Sequence, residues 1–256
     1  MQSKITQVAK YNKDILFMPT FPINKIKTKR IVISVGGSMV FPENISAEFI
    51  KSFRAFVLDQ VSKGWKFLLI TGGGKLTRIF QEGTKDILGD AVSKEDLDWL
   101  GIHTTRVNAH LMRTVFYDIA QPAIITNPEK STIDFDADVV VAGGWKPGWS
   151  TDYVASKLAE RIDAPFVVNL TNVSQVFDAD PKKDPNAKPI EEMSWKNYRE
   201  MVGDEWTPGM NLPFDPIAAK LCQKNDVSVL IMNGNDLKNL KQAMEEGKFH
   251  GSLLKN

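Results

Sequence analysis

Cysteine is nearly missing from this chain. Cys222 is the only one among 256 residues, which excludes an intrachain disulfide framework and fits a reducing, cytoplasmic compartment. Its expected role is that of a small apolar core residue. The sequence also has no run of the roughly 18 apolar residues that a membrane span requires, so a soluble protein without a membrane partner is expected. Neither sign of charge dominates. With 32 basic and 31 acidic side chains, no general attraction to nucleic acid is built in, and small ligands are the expected partners. Zinc-spaced Cys/His clusters and nucleophile elbows are absent. His103 and His110 stand seven residues apart on one helical pattern, about 10 Å along its axis. That is too far to share a metal ion readily, and no protein metal site is expected.

The first thirty residues are basic and almost free of acid. Arginine and serine are scarce there, and the apolar part "ILFMPTFPI" is broken by two prolines, which suits neither a secretory nor an organellar signal. Residues 1–29 are therefore expected to form an extension that packs on the surface or on a neighbouring subunit, with a disordered tail as the alternative.

What is present is the material for a large core, since 43% of the residues are apolar. Short runs rich in Val and Ile recur as "RIVISV", "KFLLIT", "PAIITN", "DVVVAG", "PFVVNL" and "VSVLIM". Between most of them lie stretches of helical spacing such as "SAEFIKSFRAFVLDQVSK", in which Phe49, Phe53, Phe56 and Val57 share a face. Continuous apolar strands alternating with helices predict an α/β protein with a mainly parallel sheet covered on both sides. One domain over residues 30–256 is expected, because no long low-complexity linker divides the chain. The Pro/Lys/Asp-rich segment 178–189 reads as an excursion from the sheet.

Glycines follow the strands at three places, as "VGGS" at 35–38, "TGGG" at 71–74 and "AGGWKPGWST" at 142–151. The second is not a Walker loop. Leu69 stands five residues before Gly74, and Leu76 follows Lys75 where a magnesium-holding hydroxyl would be needed. Thr77 also spoils the dinucleotide fingerprint. Even so, glycine lets backbone amides approach a ligand beyond the carboxyl ends of parallel strands, where the next helix offers its positive end. Three such turns could hold several phosphates.

Together "VGGSMVFPEN", "TGGGKLTR", "DWLGIHTTRVNAHL", "GGWKPGWSTDYVA", "TNVSQVFDADPKKDP" and "DPIAAKL" resemble the archaeal-type UMP kinases of the amino acid kinase superfamily, from about Arg30 to Leu254. The resemblance implies a three-layer α/β/α fold, commonly hexameric, and transfer of a phosphoryl group from MgATP to UMP. It places Gly37, Ser38 and Gly74 at the ATP phosphates, and Thr171, Asn172, Phe177 and Asp180 around the adenosine. Arg78 falls at the nucleotide phosphates, among the ATP-binding positions. Gly73 falls at the UMP phosphate, Asp98 at the UMP ribose, and Gly144, Trp145, Lys146, Pro147, Gly148, Trp149, Ser150 and Thr151 around UMP. Arg78, Asp152 and Lys75 are the catalytic candidates. Asp98 opens its helix in this reading, and Ser150-Thr151-Asp152 forms an N-terminal cap.

Three departures bear on that expectation. Ser34 stands at a strand end where many superfamily members carry lysine, leaving Lys75 and Lys146 as replacements. Ser174-Gln175 stands where relatives usually read Asp-Gly. Trp145 and Trp149 are bulky for a loop that closes over UMP, and could stack on a base or narrow the site. A non-catalytic anion or metal-oxide storage protein on the same fold, or a kinase for another small acceptor, remains the alternative.

Overall fold

The computed structural model describes residues 18–179, 183–205 and 212–256. Its strands are β1 (Arg30–Val35), β2 (Lys66–Thr71), β3 (Val139–Ala142), β4 (Phe166–Thr171), β5 (Val176–Phe177), β6 (Pro189–Ile190), β7 (Glu192–Ser194), β8 (Ser228–Asn233) and β9 (Ser252–Lys255). The helices are α1 (Gly37–Val40), α2 (Ala47–Val61), α3 (Gly74–Leu88), α4 (Lys94–Val115), α5 (Thr151–Arg161), α6 (Trp195–Val202), α7 (Pro216–Lys224) and α8 (Leu237–Glu246). Seven strands make one sheet in the order β3-β2-β1-β4-β8-β9-β7, parallel throughout except where β8 meets β9.

Successive side chains of a strand point to opposite faces, and here both faces are dry. Ile31, Ile33, Phe67 and Leu69 join Phe49, Phe53, Phe56 and Val57 of α2, together with residues of α4 and α8, in one core. Val32, Leu68 and Ile70 join α5, α6 and α7 in the other. The strand interiors are therefore largely apolar on both faces, with polar residues such as Arg30, Ser34, Lys66 and Thr71 toward their ends, as a parallel sheet between two helical layers requires. The expected three-layer α/β/α class is what the chain adopts. The four residues of α2 do share the buried face, and Cys222 is fully buried in the second core.

One expected strand is missing. "PAIITN" touches the sheet edge through one isolated bridge, Ile125 to Ala142, after Ala120, two residues before it, bridges to Val139. Two more residues lie between the bridges on its side than on β3's, and Pro122, within that excess, has no N–H to donate. Part of the expected N-terminal extension is described. Thr20 bridges to Lys248, Phe21 meets the Phe166 ring at 5.3 Å, and Ile23 is fully buried. The preceding residues 1–17 lie outside the described ones.

The sheet reverses its order of addition at β1. From there the chain proceeds outward through β2 and β3, then returns to β4 on the other side of β1 and continues to β8. The carboxyl ends of the strands flanking such a switch are where open α/β sheets bind ligands. Ser34, Thr71, Ala142 and Thr171 lie at those ends.

Candidate active site

Two of the glycine turns interlock. A Cβ on Gly37 would collide with the backbone of Gly73 and Gly74, and one on Gly72 would stand 2.5 Å from the Gly37 nitrogen. Gly74 has φ +65°, open to glycine at little cost, and its Cα faces the carbonyls of Gly37 and Phe41. The Gly72 N–H donates to the Val35 carbonyl at 3.0 Å, and the Lys75 N–H to that of Phe41 at 2.9 Å. No side chain caps the start of α3. Apart from that of Lys75, its first amides therefore stay available to an anion, in a cradle that any larger residue would fill.

The third turn is held by α4, whose Ser93 caps the helix by accepting from the Asp96 N–H at 3.0 Å. Asp98 thus sits inside α4 and does not open it as expected. The Ser-x-x-Asp spacing of Ser93 and Asp96 is the signal that would have set the boundary correctly. Asp98 is 8% exposed and accepts from the Gly148 N–H at 2.6 Å. Burial pushes its carboxyl above the usual range, and that N–H opposes the shift. Two turns further along, the Thr105 hydroxyl accepts from the Gly144 N–H at 2.7 Å. On its neighbouring face α4 reads the other turn, with the Asn108 amide donating to the carbonyls of Gly72 and Gly73 at 2.8 and 3.2 Å.

Between these turns lies a cavity of about 280 Å³ lined by Gly73, Gly74, Thr77, Arg78, Gln81, Asp98, Gly101, Ile102, Thr105, Gly144, Trp149, Ser150 and Thr151. Eight of the residues singled out in the sequence meet there: Gly73, Gly74, Arg78, Asp98, Gly144, Trp149, Ser150 and Thr151. The others stand apart. Trp145 packs at 5.8 Å from Trp149 and stacks at 6.3 Å on Tyr153, which touches Trp149 at 4.0 Å. The Lys146 ammonium rests over the Trp145 ring at 4.0 Å, outside the cavity wall, as do Pro147, Gly148 and Lys75. Gly37 and Ser38 begin α1 beside the cradle, Thr171 ends β4 next to Asn172, and Phe177 lies on β5. Asp180 lies outside the described residues. His103 and His110 are exposed on α4.

Beneath the cavity floor the N-termini of α5 and α7 are tied together. Ser150 caps α5 and donates its hydroxyl to Asp215, and Asp215, 4% exposed, caps α7 through the N–H groups of Ile217 and Ala218. The Asp215 N–H donates to Asp152 at 3.2 Å, and the Ser34 hydroxyl donates to the other Asp152 oxygen at 3.3 Å. Burial first and the Asp215 carboxylate second push Asp152 up to about 7, while the Asp215 N–H and the Ser34 hydroxyl act the other way. Burial also raises Asp215. Ser34 therefore fills the strand-end position as a hydrogen-bond donor to Asp152. Gln175, in the other unusual pair, donates to the Gly251 carbonyl at 3.1 Å. The sequence does not single out Thr77, Gln81, Thr105, Arg106, Asn108 and Asp215 as site residues. Asp215 is announced only as a helix cap before Pro216; the partners that bring these residues to the site lie up to 65 residues away.

The model of the "Amino acid kinase family" matches residues 29–233. The chain belongs to the amino acid kinase family. It is 33% identical to the uridylate kinase of Thermococcus sibiricus over 88% of this chain and 99% of that one. With the uridylate kinase of Methanocorpusculum labreanum it shares 31% over 89% of this chain and 96% of that one. Its fold superposes on the crystal structure of uridylate kinase from Archaeoglobus fulgidus with TM-score 0.70 at 27% identity, covering 88% of this chain and 99% of the other. A likeness of fold alone links it to the UMP kinase of Bacillus anthracis, with TM-score 0.71 at 17% identity. Within the family this member carries the archaeal-type uridylate kinase pattern.

Proposed function

We infer that this chain is an ATP-dependent UMP kinase, converting MgATP and UMP to ADP and UDP. The observation that carries the reading is the cavity where the glycine cradle of α3, Arg78, Asp98 and Thr151 converge, in a chain similar to uridylate kinases along nearly its whole length. Phosphoryl transfer needs placement and charge stabilisation more than covalent chemistry by the protein. In this reading a UMP phosphate lies against Gly73 and the Arg78 guanidinium. Its ribose hydroxyls donate to the Asp98 oxygen left free by Gly148. ATP enters from the β1–β4 side, with its phosphates over Gly37, Ser38 and Gly74 and its adenosine toward Thr171, Asn172, Phe177 and Asp180. A UMP phosphate oxygen forms the new bond to the γ-phosphorus as the β–γ bridging bond breaks and ADP leaves.

Among the described residues no group of three or more His, Cys, Asp or Glu side chains could hold a metal ion. Magnesium would be carried by the nucleotide phosphates, with Asp152 as its carboxylate candidate, since Mg²⁺ at such sites takes one or two carboxylates plus phosphates. Lys75, which begins α3 beside the cradle, replaces the strand-end lysine more readily than Lys146, whose ammonium is committed to Trp145. We also propose a homo-oligomer, a hexamer by family expectation. The outer face of α3 leaves Ile79, Phe80, Ile87 and Leu88 from 48% to 81% exposed around Gly83, above which there is open space, more apolar surface than a solvated helix face usually shows. No helix among the described residues is long and apolar enough to cross a membrane. A cytoplasmic setting is proposed from the single, buried cysteine.

The test is a coupled ADP-release assay with MgATP against UMP, CMP, dUMP and carbamate. UMP-dependent release well above the others is expected. Release with carbamate alone would overturn the reading.

A further inference from the structure

We propose that Arg106 is a positioning residue for the acceptor nucleotide: its guanidinium fixes the Gly144 and Trp145 carbonyls and so sets where the 143–150 loop stands over the cavity. The Arg106 Nε donates to the Gly144 carbonyl at 3.0 Å, and a terminal nitrogen donates to the Trp145 carbonyl at 2.7 Å. Two donors in a rigid fork hold two consecutive peptide units, which a single ammonium cannot do. The root of the loop is pressed on the same residue. A Cβ on Gly143 would stand 3.0 Å from the Arg106 Cγ and 3.1 Å from its Cα. With Gly148 held by Asp98, α4 grips the loop at both ends, and between the grips lie the Trp145, Lys146 and Pro147 side chains.

Burial draws the guanidinium pKa below its ordinary value, so the charge is partly dehydrated for the sake of two neutral carbonyls. That cost suits a group selected for placement. Losing Arg106 leaves both carbonyls without their donors, while the Thr105 hydroxyl still keeps the Gly144 N–H. The loop then shifts without detaching. Trp145 moves with it, and through the Trp145–Trp149–Tyr153 cluster so does the Trp149 ring that lines the cavity. The turns assigned to the donor nucleotide, at Gly37 and Gly74, receive no hydrogen bond from Arg106 and have none to lose.

This inference rests on reading the 143–150 loop as the acceptor side, and the experiment separates the two. Steady-state kinetics of the full chain would compare wild type, Arg106→Ala, Arg106→Lys and Asp98→Asn, with thermal melting of each. Arg106→Ala should raise KM for UMP about tenfold with KM for ATP within about twofold. Arg106→Lys should fall between wild type and alanine. If Arg106→Ala does not fold, the lysine variant decides on the same two constants. Equal effects on both nucleotides, or none, in the Arg106 variants while Asp98→Asn raises only KM for UMP would overturn the role of Arg106 alone. If Asp98→Asn is equally unselective, the acceptor placement falls, and this inference with it.

Discussion

Asp152 should make this protein less stable as the pH rises, and replacing it with asparagine should reverse that. Its carboxyl is pushed up to about 7, chiefly by burial and then by Asp215. An acid whose folded pKa is raised costs nothing below its unfolded value near 4, where both states are protonated. Above that, the unfolded chain releases the proton first, so the penalty grows until the pH passes about 7 and is constant beyond. The interval is about three pH units, each worth about 1.4 kcal/mol, giving an upper bound near 4 kcal/mol. Partial exposure of the site and its coupling to Asp215 reduce the expected effect to about 2 kcal/mol. Asparagine fits the same bonds, because its carbonyl can accept from the Asp215 N–H while its amide donates to the Ser34 hydroxyl. Asp152→Asn should therefore raise Tm by about 5 °C at pH 8 and leave it nearly unchanged at pH 4.5, while turnover falls. Urea unfolding at both pH values is the assay. A destabilisation of equal size at both would refute the reasoning.

Arg78→Ala should lower kcat by about a hundredfold or more without lowering Tm, since the residue is exposed on α3 and alanine suits a helix; an unchanged single-turnover rate would contradict the placement. Trp149→Phe should damp the UMP-induced change in intrinsic fluorescence and shift apparent UMP affinity several-fold, from about 1 kcal/mol of ring contact, leaving ATP affinity in place; survival of the full signal would exclude Trp149 as its source. Gly37→Ala forces a methyl into the backbone of Gly73 and Gly74, so KM for ATP should rise and Tm should drop by several degrees, and a wild-type melting curve would show that the two turns are not held together.

The parts of this molecule legible in the sequence are those whose physics is local. A strand buried on both faces is written as an unbroken Val/Ile run, and five of the six runs became strands of the sheet. The sixth, "PAIITN", carries the same composition and a proline at its start, and the competing edge geometry prevailed. The glycine turns were visible because φ and close approach restrict the residue type at the position itself. Asp98 stands out as a residue, but its place within the helix is set by the Ser93 cap five residues earlier, which the aspartate itself does not reveal. The aromatic loop shows the same limit. Trp145 and Trp149 look equivalent in "WKPGW", yet only the second lines the cavity, and the choice is made by Tyr153 and Arg106, which no spacing within the loop reveals.

Ser34, at a strand end where the family resemblance leads one to expect lysine, shows how one side chain's effect propagates. An ammonium at that strand end would stand beside Asp152 and keep its carboxylate ionised. A serine hydroxyl donates one neutral hydrogen bond at 3.3 Å, which does not offset burial and the nearby Asp215. Asp152 is thereby left titrating near neutrality in the free protein. A cation brought to the site with the nucleotide phosphates would supply the missing charge and draw the proton off, so binding and deprotonation are linked. MgATP should therefore bind more tightly at pH 8 than at pH 6 by a factor that Asp152→Asn abolishes. Calorimetric titration in two buffers of different ionisation enthalpy measures that proton release directly. Restoring the strand-end charge with Ser34→Lys should remove the release while keeping MgATP affinity. Proton release that persists undiminished in Asp152→Asn would place its origin elsewhere.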